Sequence, residues 1–150
     1  MPIRKMTAAD IQQVLAIQQE LAFQDWNERQ FLAEINAGYA HSIVFEQEPG
    51  AAILGYAVFH LLGPDSELLS IATARDAQNK GIGAALLGDG LSRLELQNGD
   101  RCFLEVREGN ISARKFYESH GFSQYGNRKR YYADGENACL YSTDKLLTQN

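Results

Sequence analysis

This chain has little cysteine, little proline and no long apolar run, and each shortage removes a class of protein. Its two cysteines, Cys102 and Cys139, lack metal-ligand spacing and sit in apolar, strand-like patterns. Buried free thiols in a reducing cytoplasm are therefore expected, not a disulfide scaffold or a zinc site. Three prolines in 150 residues, with no low-complexity tract or repeat, offer no linker, so one domain over residues 1–150 is expected. No apolar stretch is long enough to span a bilayer, and Met1 to Asp10 carries no apolar signal segment, so no membrane role is expected. His41, His60 and His120 are scattered without ligand spacing, so no metal is expected. Positive charge is also short. Fourteen Lys and Arg against nineteen Asp and Glu leave −5, which argues against direct nucleic-acid binding and suits a cationic substrate.

The hydrophobic pattern supplies the elements. Pro2-Ile3-Arg4-Lys5 reads as a first strand. Thr7, with Asp10 three residues on, caps a helix carrying Ile11, Val14, Leu15, Leu21 and Ala22. Asn27 caps a second, short helix with Phe31, Leu32 and Ile35, ended by Gly38. Ile43 to Phe45 and Ile53 to Leu62 read as strands around a Glu48-Pro49-Gly50 turn, and Glu67 to Ala74 as another. A long helix over Gly81 to Leu96 and a buried strand over Cys102 to Val106 come next. A helix over Asn110 to His120, stopped by Gly121, then leads to a hairpin of Phe122 to Arg130 and Ala138 to Leu146 around Asp134-Gly135. The order β-α-α-β-β-β-α-β-α-β-β predicts an α/β fold with a mixed central sheet and helices on both faces. The sequon Asn110-Ile111-Ser112 reads as a helix N-cap.

Gln78-Asn79-Lys80-Gly81-Ile82-Gly83 is a glycine turn between a strand and a helix. The first turn of a helix leaves N–H groups without acceptors at its positive dipole end, and glycine lets an anion approach them. The GxxxxGK[ST] pattern is absent, and a dinucleotide fingerprint would need glycine at position 86, which is Leu86. A lone GxG is as readily a turn without a ligand. Gly88 and Gly90, inside the helix, each cost about 1 kcal/mol against alanine and point to close packing.

Gln78-x-x-Gly81-x-Gly83 resembles the acetyl-CoA motif of the GCN5-related N-acetyltransferase (GNAT) superfamily, and the element order is similar to that fold across essentially the whole chain. The resemblance implies a sheet splayed at an acetyl-CoA site. It assigns the pantetheine arm to the backbone of Ile71, Ala72 and Thr73. The pyrophosphate then falls on the loop of Asn79, Lys80, Gly81, Ile82, Gly83 and Ala84. Asn79 stands where arginine is common. Leu104-Glu105-Val106-Arg107-x-x-Asn110 with Phe116-Tyr117-Glu118-Ser119-x-Gly121-Phe122 is similar to the ribosomal-protein-alanine N-acetyltransferase group. Phe23-x-x-Trp26-Asn27-x-x-x-Phe31 and Arg128-x-Arg130-Tyr131-Tyr132 extend that likeness. The Tyr132 to Ala138 loop is shorter than in that group, and Asn137 replaces an acidic residue.

Acetyl transfer needs a neutral amine, and an α-amine of pKa about 7.7–8.0 supplies one more readily than a lysine near 10.4. Taken alone, Glu105 is a strand-end carboxylate or a partner of Arg107. With the resemblance it becomes the general base, its pKa raised by a partly apolar setting. Tyr117, alone a core tyrosine beside Phe116, becomes the acid that protonates the leaving thiolate. Asn110 lies two helical turns before Tyr117; it caps the helix, and the resemblance adds a donor contact. Glu67 is the rival base, sharing a face with Leu69 and Ile71 if no bulge intervenes. Trp26 and Tyr39 are either pocket walls or core.

With the resemblance, the expectation is an acetyl-CoA-dependent N-acetyltransferase acting by direct attack in a ternary complex on a basic protein N-terminus, the N-terminal alanine α-amine of a ribosomal protein, as a monomer or dimer. Another amine acceptor, or a non-catalytic acyl-CoA-binding module, are the alternatives.

Overall fold

The computed structural model describes residues 2–21 and 26–144. Ala22, Phe23 and Leu146, assigned above to elements or motifs, lie outside those residues.

Strand β1 (Ile3–Lys5) is followed by a 3-10 turn (Ala8–Asp10) that runs into helix α1 (Ile11–Leu21). Asp10 fixes this entry: its Oδ2 accepts the Thr7 N–H at 2.7 Å and the Arg4 guanidinium at 2.8 Å. Asn27 caps α2 (Glu28–Asn36) as a full capping box, its Oδ1 taking the Gln30 N–H at 2.8 Å while Gln30 Oε1 takes the Asn27 N–H at 2.8 Å. Three antiparallel strands follow, β2 (Ala40–Glu46), β3 (Ile53–His60) and β4 (Asp65–Thr73). Helix α3 (Ile82–Leu96) crosses to β5 (Arg101–Arg107), and α4 (Ile111–Ser119) crosses to the closing hairpin β6 (Phe122–Arg128) and β7 (Ala138–Thr143). The expected element order is the one found.

The sheet runs β1-β2-β3-β4-β5-β7-β6, antiparallel except for β4 beside β5. One face buries Val14, Ile17, Phe31, Val44 and Tyr56 under α1 and α2. The other buries Phe59, Leu86, Leu87, Leu104 and Tyr141 under α3 and α4. Burial at about 25 cal/mol per Å² makes these two apolar layers the main favourable term.

Two departures from regularity shape the site. The parallel pairing is short: Asp65, Ser66 and Glu67 oppose Arg101, Cys102 and Phe103, and beyond them β4 and β5 part. A bulge then interrupts β4. Phe59 pairs with Leu68 and Val58 with Ser70, which leaves Leu69 as the extra residue. Leu68 and Ile71 consequently pack on the α3 side, Leu69 and Ala72 on the α1 side. The face that Glu67 was to share with both Leu69 and Ile71 is broken by this bulge, and Ile71 lies on the opposite side.

Gly90 in α3 fits the packing expectation, since a Cβ there would come within 2.1 Å of the Phe59 ring. Gly88 does not, because a Cβ there would meet nothing within 4 Å.

Candidate active site

The opening between β4 and β5 is a cleft of about 870 Å³. Its floor begins where the parallel pairing ends, so Ile71, Ala72 and Thr73 border it with no partner on β5. The glycine turn closes one end. Gln78 Nε2 donates to the Thr73 carbonyl at 3.2 Å and ties the loop back to its strand. Asn79 and Gly81 take left-handed backbone, with φ of 64° and 80°. Asparagine and glycine are the residues that tolerate it, and such alternation turns successive N–H groups to one side as an anion nest. Ala85 is the first residue of α3 to donate within this start, to Gly81 O at 3.0 Å. The amides of Ile82, Gly83 and Ala84 have no intrahelical acceptor and stand at the positive end of a fifteen-residue helix. Gly83 faces α4, where a Cβ would touch Phe116 Cζ at 3.4 Å, an ordinary contact.

Of the expected donor residues, Ile71, Ala72, Thr73, Asn79, Gly81, Ile82, Gly83, Ala84 and Asn110 border the cleft, while Lys80 stands off it. Asn110 caps α4, its Oδ1 accepting the Ala113 N–H at 3.2 Å. That leaves its amide hydrogens for a ligand. Lys115 and His120 also reach the cleft, and nothing in the sequence had singled out either for it. Spacing was a signal for His120, four residues after Phe116 and so on the same helical face. An anionic, amide-rich ligand with an extended arm fits this set of groups. They offer free helix-start amides, a nest, an unpaired strand edge and nearby cations.

Glu105 and Tyr117 border the same cleft from β5 and α4. Tyr117 is buried, its ring 5.4 Å from Phe116 and 5.7 Å from Phe122. Burial pushes its phenol well above the usual 10. Glu105 differs from the expectation. It projects from the face of β5 opposite Leu104 and Val106 and is exposed, without the partly apolar setting foreseen for it. Nor is Arg107 its partner, for that guanidinium is held by Asp134 and Glu136 at 2.9 Å each. The neighbour of Glu105 is Tyr131, whose hydroxyl donates to Oε1 at 3.3 Å. The Glu105 charge, foremost, holds the Tyr131 phenol above its ordinary range, and Glu67 adds to it.

Leu104 and Glu105 also border a second hollow of about 430 Å³ with Glu67, Phe103, Tyr125 and Arg128. Both candidate bases therefore border the second hollow, and Glu105 alone of the two also borders the first. Trp26 packs on Phe31 at 5.0 Å beside the α1–α2 core. Tyr39 is about half exposed, edge-on to His60 at 4.8 Å. His41 and His60 pair with Asp89 and Glu34. Among the described residues no three His, Cys, Asp or Glu side chains are grouped to hold a metal, and no helix is long and apolar enough to cross a membrane.

Comparison with known proteins supplies the family and the fold. The family model described as acetyltransferase (GNAT) family matches residues 11–122. The N-alpha-acetyltransferase RimI of Mycobacterium tuberculosis is 31% identical over 136 residues, covering 87% of this chain and 83% of that protein. The ribosomal protein bS18-alanine N-acetyltransferase of Escherichia coli K12 is 28% identical over 130 residues, covering 87% and 86%. The crystal structure of the ribosomal-protein-S18-alanine N-acetyltransferase from Escherichia coli superposes with a TM-score of 0.86 at 27% identity, over 99% of this chain and 96% of that one.

Proposed function

The chain belongs to the acetyltransferase (GNAT) family and is an N-acetyltransferase, and from that premise we propose that it moves acetyl from acetyl-CoA to the N-terminal α-amine of a basic protein. The N-terminal alanine of a ribosomal protein is the acceptor we favour. The observation that carries the reading is one opening bordered by the amides of α3, by Glu105 and by Tyr117. Those are the three parts that thioester aminolysis requires.

The donor lies along Ile71 to Thr73 with its pyrophosphate on the loop from Asn79 to Ala84 and its arm near Asn110. Glu105 accepts the proton of the incoming ammonium, directly or through water. An α-amine with a pKa of about 7.7–8.0 needs only a modest base, which an exposed carboxylate can be. As the new C–N bond forms and the C–S bond breaks, Tyr117 passes its proton to the departing thiolate and regains one from the nitrogen, which sheds its second proton to become the amide. The high phenol pKa set by burial keeps that proton in place until it is needed. Amine and donor meet in one ternary complex, with no covalent enzyme intermediate.

The acceptor identity is supported by the relatives' names, which describe acetylation of a ribosomal-protein alanine. The carboxylates Asp65, Glu67 and Glu105 around the second hollow suit a cationic chain behind the amine. This reading places the reaction in the cytoplasm. The turn residue Asn137 favours a second reading, a different amine. Its side chain accepts the Arg130 N–H at 2.9 Å, so the turn closes here through an amide where that group has an acidic residue.

Thiol release from acetyl-CoA tests the reading, with a short peptide beginning Ala-Arg beside the same peptide blocked at its N-terminus. Turnover on the free peptide alone supports it. Turnover on small amines or lysine, but not on the peptide, moves the acceptor. Tight donor binding with no turnover on any amine leaves a binding module.

A further inference from the structure

We propose that Arg107 is a positioning residue for the acceptor, holding the turn between β6 and β7 so that Tyr131 and Tyr132 stand over Glu105. The inference rests on the acetyl-transfer reading and names the device that shapes its acceptor side.

Arg107 follows Glu105 by two residues on β5 and so leaves the strand on the same face. Its Nη1 donates to Asp134 Oδ2 at 2.9 Å and Oδ1 at 3.1 Å, and to Glu136 Oε1 at 2.9 Å. Its guanidinium carbon lies 4.1 Å from the centre of the Tyr132 ring. The two carboxylates are themselves fixed. Glu136 Oε2 accepts the Gly109 N–H at 2.8 Å, and Asp134 Oδ1 accepts the Glu136 N–H at 3.0 Å. Tyr132 meets Tyr131 edge-on at 5.1 Å, and Tyr131 reaches Glu105. The contacts thus leave β5 at Arg107, pass through the turn and return to β5 at Glu105.

Magnitude decides what this arrangement is for. The side chain of Asp134 is 63% exposed and that of Arg107 34%. Exposed ion pairs add little to stability. What the guanidinium supplies is geometry: one nitrogen, Nη1, holds both carboxylates while the guanidinium carbon stands over the Tyr132 ring. A lysine ammonium is a point charge without a planar face. Losing Arg107 therefore leaves the fold and frees the turn.

The test uses the full chain carrying Arg107→Gln or Arg107→Lys, with steady-state kinetics on a free-N-terminus peptide and amide hydrogen exchange over 129–137. The acceptor KM is expected to rise about tenfold in both variants, with the acetyl-CoA KM within about twofold of the parent, in keeping with loss of a cation–π contact and its ion pairs. Exchange over 129–137 should quicken while β5 stays protected. Adding Tyr131→Phe to Arg107→Gln should cost less than the two singles combined, since both act through one turn. Recovery in Arg107→Lys would show that charge alone matters and would overturn the proposal. A raised acetyl-CoA KM with the acceptor KM unchanged would make Arg107 a donor contact, and would overturn it too. Should the Arg107 variants not fold, the double variant Asp134→Asn with Glu136→Gln removes the same contacts from the turn. If the parent turns over no amine, the acetyl-transfer reading fails, while unchanged exchange over 129–137 defeats the Arg107 inference by itself.

Discussion

The Tyr131 hydroxyl sits 3.3 Å from Glu105 Oε1 and donates to the carboxylate proposed above as the base. On the proposed mechanism an incoming acceptor displaces that phenol or shares the carboxylate with it. Glu67 stands close enough to act on the same phenol, so the two carboxylates compete for the role of base. Glu105 borders both cavities and Glu67 only the smaller one, which favours Glu105. Glu105→Gln is expected to lower kcat/KM about a hundredfold at neutral pH, the usual size of a general-base contribution. Activity should recover as pH rises and the amine loses its own proton. Glu67→Gln should lose far less. Full activity of Glu105→Gln at pH 7 would remove that residue from the role, and a loss confined to Glu67→Gln would transfer it.

Tyr117 makes two linked predictions, one kinetic and one thermodynamic. Tyr117→Phe keeps the ring against Phe116 and Phe122 but removes the proton, so kcat should fall while acetyl-CoA affinity holds. Weakened donor binding in its place would make Tyr117 a binding residue. Burial favours the neutral phenol in the folded state, raising Tyr117 and pushing Tyr56 to about 12. The unfolded phenols ionise near 10. A group whose folded pKa is raised contributes stability below its unfolded pKa and loses it as pH climbs toward the folded one. Urea midpoints should therefore fall above about pH 10, each such tyrosine adding about 1.4 kcal/mol per pH unit. Cys102, also raised to about 12 by burial, starts its own loss nearer pH 8.5. Tyr117→Phe should flatten only the part above pH 10. An unchanged slope there would contradict its burial.

The sequence announced the elements because each carried a local signal. Asn27 and Asn110 are caps, Gly81 and Gly121 are left-handed turns, and the strands alternate or run apolar. The site was legible only as far as its motifs. The splay has no local signal, since it follows from β4 and β5 pairing at three residues and then parting. The bulge at Leu69, which takes Ile71 away from the face of Glu67, is likewise a property of pairing with β3. The exposure of Glu105 was misjudged because strand alternation says which residues share a face but not which face is covered. Arg107 was read as a possible partner for Glu105, two residues away. Its real partners are 27 and 29 residues on, in a turn whose fold no periodicity describes.

The donor loop separates a glycine needed for its backbone from one that a methyl could replace. Gly81 sits at φ 80° with open space around it, so Gly81→Ala should cost about 1 kcal/mol from left-handed strain alone. Because that dihedral aims the first amides of α3, acetyl-CoA affinity should fall with it. Gly83 has ordinary helical backbone, and an added Cβ would stand 3.4 Å from Phe116 Cζ. Gly83→Ala should be close to neutral in stability, a small helix-propensity gain of about 1 kcal/mol offsetting a slight shift of that ring. Calorimetric titration with acetyl-CoA checks the affinity, and urea unfolding the two stabilities. Equal donor affinity in Gly81→Ala and the parent would mean that the phosphates are not held by these amides.

Gly88 and Gly90 give an internal control for the packing of α3 on the sheet. They lie two positions apart in one helix, and intrinsic propensity alone would have alanine improve both by about 1 kcal/mol. The structure separates them. At Gly88 an added Cβ meets nothing within 4 Å, so the propensity gain should appear in full. At Gly90 the Cβ would lie 2.1 to 2.5 Å from three atoms of the Phe59 ring, which is itself buried. Phe59 is buried among its neighbours, so either its ring or α3 must shift. Overpacking of this kind costs about 1–3 kcal/mol, more than propensity returns. Urea unfolding should show Gly88→Ala more stable than the parent and Gly90→Ala less. A stabilised Gly90→Ala would mean that α3 does not sit on Phe59 as described. The double variant Gly90→Ala with Phe59→Leu, which opens room for the methyl, should recover part of the loss.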